Sequence, residues 1–264
     1  MDLAYDGRDF AGWARQPHPP GLRTVQGEVE HVLGLLCGVP VEVTAAGRTD
    51  AGVHARRQVA HTDLPADVPW PDAERINRAL PDDVRLLAIG PAPEGFDARF
   101  SAIWRRYTYR VCDDPNGPSP LERHLILDWT KPLDLARMNE AAGGLMGEHD
   151  FAAYCKQREF ASSVREILDL AWHRREDGVA VMTVRADAFC HSMVRSLVGA
   201  MLPVGDHRRP VTWPAEVLAS LARHPAVTVM PPHPLILEEI GYPPADRLLD
   251  RQRETRSFRT LGGG

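Results

Sequence analysis

A carboxylate set between two strand-like runs is the first side chain here that could do chemistry. Asp50 lies in Gly47-Arg48-Thr49-Asp50-Ala51-Gly52-Val53-His54-Ala55, where glycines permit tight bends. An aspartate in such a bend ordinarily hydrogen-bonds its own backbone. On a loop opening into a cleft, flanked by Arg48, the same carboxylate could instead act as nucleophile or base. The familiar alternatives are missing. The chain has no G-x-x-x-x-G-K-S/T, no G-x-G-x-x-G after a strand, no H-E-x-x-H and no G-x-S-x-G. Its eleven histidines are scattered without metal-ligand spacing. Nucleotide cofactors and metal hydrolysis are therefore disfavoured.

The elements that must position Asp50 come from periodicity. Leu3-Ala4-Tyr5 reads as a short first strand, incomplete for want of residues before it, stopped at Asp6-Gly7. Val25, Val29, Val32, Leu33 and Leu36 recur at helical spacing behind Thr24 as N-cap. Val39 to Ala45 and Arg57 to Thr62 read as strands around the Asp50 bend. A helix with Pro71 in its first turn and running through Leu80, then a strand from Val84 to Ile89, complete β-α-β-β-α-β. The second half repeats that order. It has a strand from Ile103 to Val111, a helix from Asp134 to Met146, and a hairpin of Val164–His173 with Val179–Asp187 across Asp177-Gly178. A helix from Cys190 to Leu202, a short helix from Trp213 and a strand from Leu235 to Ile240 follow. The expected fold is α+β, two ferredoxin-like halves with mainly antiparallel sheets forming a central cleft. Residues 1–98 would carry the Asp50 loop and 99–245 the second half, with 246–264 a disordered tail on composition.

Bulk composition says less. The chain of 264 residues carries 31 basic and 36 acidic residues for a net charge of -5, which alone argues against a polyanionic partner. Only Lys131 and Lys156 are lysines, which leaves 29 arginines among the 31. Arginine's planar fork suits phosphate and stacks on bases, though a GC-rich genome yields the same bias. Arg56-Arg57, Arg105-Arg106 and Arg208-Arg209 are the local clusters. No apolar run approaches the roughly 18 residues of a membrane span, and the first ten residues do not read as a secretory signal. Cys37, Cys112, Cys155 and Cys190 form no C-x-x-C pair, so free thiols in a reducing cytoplasm are expected.

The string GRTDAGVHA resembles, residue for residue, the hallmark loop of the tRNA pseudouridine synthase A family. YDG-x-x-F-x-G-W at Tyr5 to Trp13, FDARFSA at Phe96 to Ala102, RRYTYRV at Arg105 to Val111 and FCHSMVRSLVGAMLPVG at Phe189 to Gly205 also look like that family. They come in its order and cover the chain to about Tyr242. The resemblance implies Asp50 as the catalytic aspartate and Tyr107 as the aromatic packed on the target base. It likewise implies Arg195 as the aspartate's basic partner and Arg48 as a handler of the extruded nucleotide. By themselves, Tyr107 reads as a strand aromatic of the core and Arg195 as a surface helix residue. It further implies isomerisation of uridine to pseudouridine at positions 38 to 40 of the tRNA anticodon arm by a homodimer, with no cofactor and no metal. Pro234 departs from the family, which usually has glycine there, while Leu235 and Leu237 still offer apolar side chains.

Overall fold

The structure, a computed structural model, describes residues 1–16, 21–156 and 162–256. In chain order its elements are β1 (Asp2–Tyr5), α1 (Val25–Cys37), β2 (Thr44–Ala45), β3 (His54–His61), α2 (Ala73–Ala79), β4 (Val84–Ala88) and β5 (Trp104–Cys112). There follow β6 (Leu127–Asp128), α3 (Leu135–Gly143), β7 (Gly147–Asp150), β8 (Val164–Arg174), β9 (Ala180–Ala186), α4 (Met193–Gly205), α5 (Trp213–Ala219), β10 (Leu235–Gly241) and α6 (Leu248–Arg256). The fold is mixed α+β and mainly antiparallel. Two compact units divide the described residues, the first of residues 1–103 and 237–256, the second of 104–236. The division falls a few residues beyond the expected 98/99 boundary, and the chain returns to the first unit at Leu237.

The first unit is built on strands in the order β4-β1-β3-β10. Thr24 starts α1 as its periodicity implies, its hydroxyl accepting from Gly27 N at 3.2 Å. Val25, Val29, Val32 and Leu33 are buried along one face. The strand expected from Val39 to Ala45 shrinks to Thr44–Ala45 for a local reason. Glu30, 4% exposed, accepts from Val43 N at 2.8 Å, and Gln26 Nε2 donates to Val43 O. Side chains of α1 thus take the backbone groups a ladder would need, and Pro40 offers no donor.

The FDARFSA segment closes this unit. Ala98 N donates to His61 Nδ1, Tyr242 Oη donates to Ala98 O at 2.7 Å, and the Phe96 and Tyr242 rings lie 5.0 Å apart. Beyond it, the expected disordered tail needs correction. Residues 248–256 form α6, because Leu248 is buried, Leu249 lies against Gly95, and Gln252 Nε2 donates to Gly95 O at 2.6 Å. Two leucines and an amide suffice to anchor a helix that the arginine-rich composition concealed. The rest of the tail, 257–264, lies outside the described residues.

In the second unit the strands run β5-β9-β8-β7, with β6 parallel to the end of β5. The β8–β9 hairpin turns at Asp177-Gly178, where Gly178 has φ +84°. α3 starts at its N-cap Asp134, and α4 is buried on nearly every side. Cys155 and Cys190 are disulfide-bonded with Cα atoms 5.7 Å apart, while Cys37 and Cys112 are free. This corrects the expectation of four free thiols. The two cysteines are 35 residues apart in sequence but meet because Lys156 N donates to His191 O at 3.0 Å. Among the described residues no helix is long and apolar enough to cross a membrane.

Candidate active site

The Asp50 loop joins β2 to β3 and is held by the segment that carries Tyr5, Gly7, Gly12 and Trp13. Trp13 N donates to Thr49 O at 3.0 Å, Gly52 N donates to Phe10 O, and Gly7 N donates to His54 Nδ1 at 3.1 Å. These bonds require backbones to touch. A Cβ on Gly7 would overlap Val53 O, and one on Gly12, whose φ is +105°, would stand 2.8 Å from Thr49 O. The glycines of the YDG-x-x-F-x-G-W stretch therefore let the 5–13 segment lie flat on the loop. Within the loop Val53 N donates to Asp50 O, and Gly52 turns at φ +78°. Asp50 is half-buried and Arg48 exposed at the rim.

Beneath the loop is a buried polar cluster. Gln58, on β3 and 0% exposed, donates from Nε2 to Gly47 O at 2.6 Å, and its Oε1 accepts from Gly47 N. The same Nε2 reaches Tyr5 Oη at 3.4 Å, and Tyr5 Oη shares a hydrogen bond of 2.8 Å with Thr49 Oγ1. Burial pushes the Tyr5 hydroxyl up to about 12, although the bonds to Thr49 and Gln58 pull the other way. Tyr5 stacks at a tilt on Trp13, ring centroids 5.9 Å apart.

Tyr107 and Arg195 are both in the second unit. Tyr107 lies on β5 opposite Val184 of β9 and is 8% exposed, its ring edge-on to Phe189 at 5.1 Å. Strand alternation places Tyr109 on the same face. There the Tyr109 hydroxyl donates to Pro231 O at 2.9 Å. Burial lifts Tyr109 above the ordinary phenol range, against the pull of the nearby Arg195 charge. Arg195 leaves the first turn of α4 half-buried, and its Nε donates to Met230 O at 2.5 Å. The 228–230 strip can lie this close because a Cβ on Gly199 would overlap Thr228 O. So α4 holds Arg195 on the face that Tyr107 shares.

The helix itself begins later than expected, at Met193 rather than Cys190, because Ser192 takes the left-handed conformation at φ +64°. The arginine doublets serve mainly local partners. Arg56 pairs with Glu238 at 3.2 Å, Arg57 with Asp2 at 2.8 Å and Arg208 with Asp206 at 2.7 Å. Arg105, 8% exposed, donates to Asp187 O at 2.8 Å. Tyr5, Thr49, Gln58 and Phe189 were not singled out by residue type, since nothing in their type or spacing sets them apart. The signal available was position: three of them lie within or beside the motif stretches already noted.

Sequence comparison places the chain as a whole in one class of proteins. Residues 141–243 match the family model of tRNA pseudouridine synthase. The tRNA pseudouridine synthase A of Streptomyces griseus is 55% identical over all of this chain and 94% of its own length. That of Frankia casuarinae is 55% identical over 98% of this chain and 94% of its own, and that of Cutibacterium acnes 49% identical over the same shares. The chain belongs to the tRNA pseudouridine synthase A family, whose members are isomerases acting on tRNA.

Proposed function

We infer that this chain isomerises uridine to pseudouridine at positions 38 to 40 in the anticodon arm of tRNA, with Asp50 as its catalytic group and no cofactor. The observation that carries the reading is the Asp50 loop itself. Its GRTDAGVHA sequence is clamped by Gly7 and Gly12 so that the half-buried carboxylate stands in a fixed bend.

The reaction breaks N1–C1′, turns the uracil and forms C5–C1′. The proton lost from C5 balances the one gained at N1, so nothing is oxidised and no group departs. An ionised carboxylate is what such chemistry asks of the protein, either to attack C1′ or to take a proton from C2′. By the family resemblance Arg195 is the basic partner of that carboxylate, a guanidinium that does not itself deprotonate. Drawing a stacked base from a stem costs a few kcal/mol, and stacking on Tyr107 returns about 1–3 kcal/mol. Arg48, exposed at the loop's rim, is suited to a phosphate of the extruded nucleotide. The enzyme works as a homodimer in the cytoplasm.

The test is to map pseudouridine in tRNA from cells lacking the gene and to restore it with the wild-type chain or with Asp50→Asn. Loss at 38–40, restored by the wild type and not by Asp50→Asn, is the expected result. Unchanged modification at those positions would overturn the reading.

A further inference from the structure

The cluster under the Asp50 loop has a chemistry that packing does not explain. Gln58 is wholly buried, Tyr5 is 5% exposed and Thr49 is 7% exposed, and none carries a formal charge. Burying amides and hydroxyls costs free energy unless each is bonded, and apolar side chains of the same size would fill the space without that cost. What the polar groups add is direction. The Gln58 side chain treats Gly47 as a neighbouring strand would, bonding both its N and its O. Tyr5 then joins Gln58 to Thr49. Thr49 is thus held twice, by Tyr5 through its hydroxyl and by Trp13 through its carbonyl at 3.0 Å. The residue so fixed is the one immediately before Asp50.

We propose that Tyr5, Thr49 and Gln58 are positioning residues whose linked hydrogen bonds set the angle at which the Asp50 carboxylate meets the substrate. This inference rests on Asp50 being the catalytic group. A bonded polar network rigidifies where dispersion contacts would allow sliding, and a displacement of about 1 Å at a reacting group can cost 10²-fold in rate.

The test uses the full chain and an unmodified tRNA transcript, comparing wild type, Tyr5→Phe, Thr49→Val, Thr49→Ser, the Tyr5→Phe/Thr49→Val double variant and Asp50→Asn. Tyr5→Phe and Thr49→Val should each lower kcat about 10- to 100-fold, while KM for tRNA stays within about twofold. Thr49→Ser, which keeps the hydroxyl, should recover most of the rate. The double variant should lose no more than the worse single one, as expected of one linked unit. Full kcat in folded Thr49→Val, or losses that multiply, would overturn the proposal. So would a Thr49→Val that fails to fold while Tyr5→Phe folds with full activity, because the hydroxyl would then be only structural. Those results with an active wild type and an inactive Asp50→Asn sink this inference alone. An inactive wild type, or an active Asp50→Asn, sinks the reading beneath it.

Discussion

The Asp50 loop and the start of α4 solve the same problem by different means. The loop has no periodic structure of its own, so its shape is imposed from outside by two glycines that admit backbone contact and by neutral hydrogen bonds under Gly47 and Thr49. Arg195 instead rides on a regular helix, and its Nε donates to Met230 O, with the Cys155–Cys190 disulfide just ahead of the helix. A loop-borne group depends on many small contacts, none of which touches substrate. A helix-borne group takes its direction first from the helix itself. Conservative changes should therefore be felt more widely around Asp50 than around Arg195.

Four measurements test that contrast. Asp50→Asn should cut pseudouridine formation by about 10²- to 10⁴-fold, the range for loss of an acid–base group, with the melting temperature nearly unchanged. A large fall in melting temperature would mean that the carboxylate also holds the loop together. In the second unit, reducing the disulfide removes a cross-link between residues 35 apart and should lower stability by about 3–4 kcal/mol. Thermal melts with and without dithiothreitol read this directly, and coincident curves would remove the disulfide from the account of α4.

Gly7→Ala should cost about 3 kcal/mol, the upper end for overpacking, because its methyl would overlap a carbonyl that cannot retreat. Urea titration checks this, and an unaltered midpoint would show that the loop yields more readily than the clamp implies. The smallest effect concerns alkali. Tyr5 ionises at about 12 when folded against a model value of 10.0. Its stabilising effect of about 2–3 kcal/mol is complete below pH 10 and lost as the pH climbs towards 12. Melting temperature followed from pH 9 to 12 should fall less steeply in Tyr5→Phe than in the wild type, whereas parallel profiles would contradict it.

The parts of the molecule governed by local periodicity were legible in the sequence. α1 with its Thr24 cap and the β8–β9 hairpin at Asp177-Gly178 stand where side-chain spacing puts them, while β3 begins at His54, three residues before the expected Arg57. What escaped depended on contacts between distant residues. Glu30 unmade a strand by taking Val43 N, Leu248 and Leu249 made a helix out of a seeming tail, and Cys155 met Cys190 across 35 residues. None of these has a signature within a window of a few positions. The same holds for Tyr5 and Gln58, whose roles are defined by what lies across the sheet rather than along the chain.

The seat of α6 has a practical corollary for anyone handling this protein. Leu249 occupies the hollow over Gly95, and Gln252 closes it. Cutting the chain back to residue 247 would remove Leu248, which is buried, and would take away the donor to Gly95 O. A purification handle therefore belongs beyond residue 256 rather than at such a cut, and not at Met1, whose ammonium donates to Ala60 O at 3.0 Å.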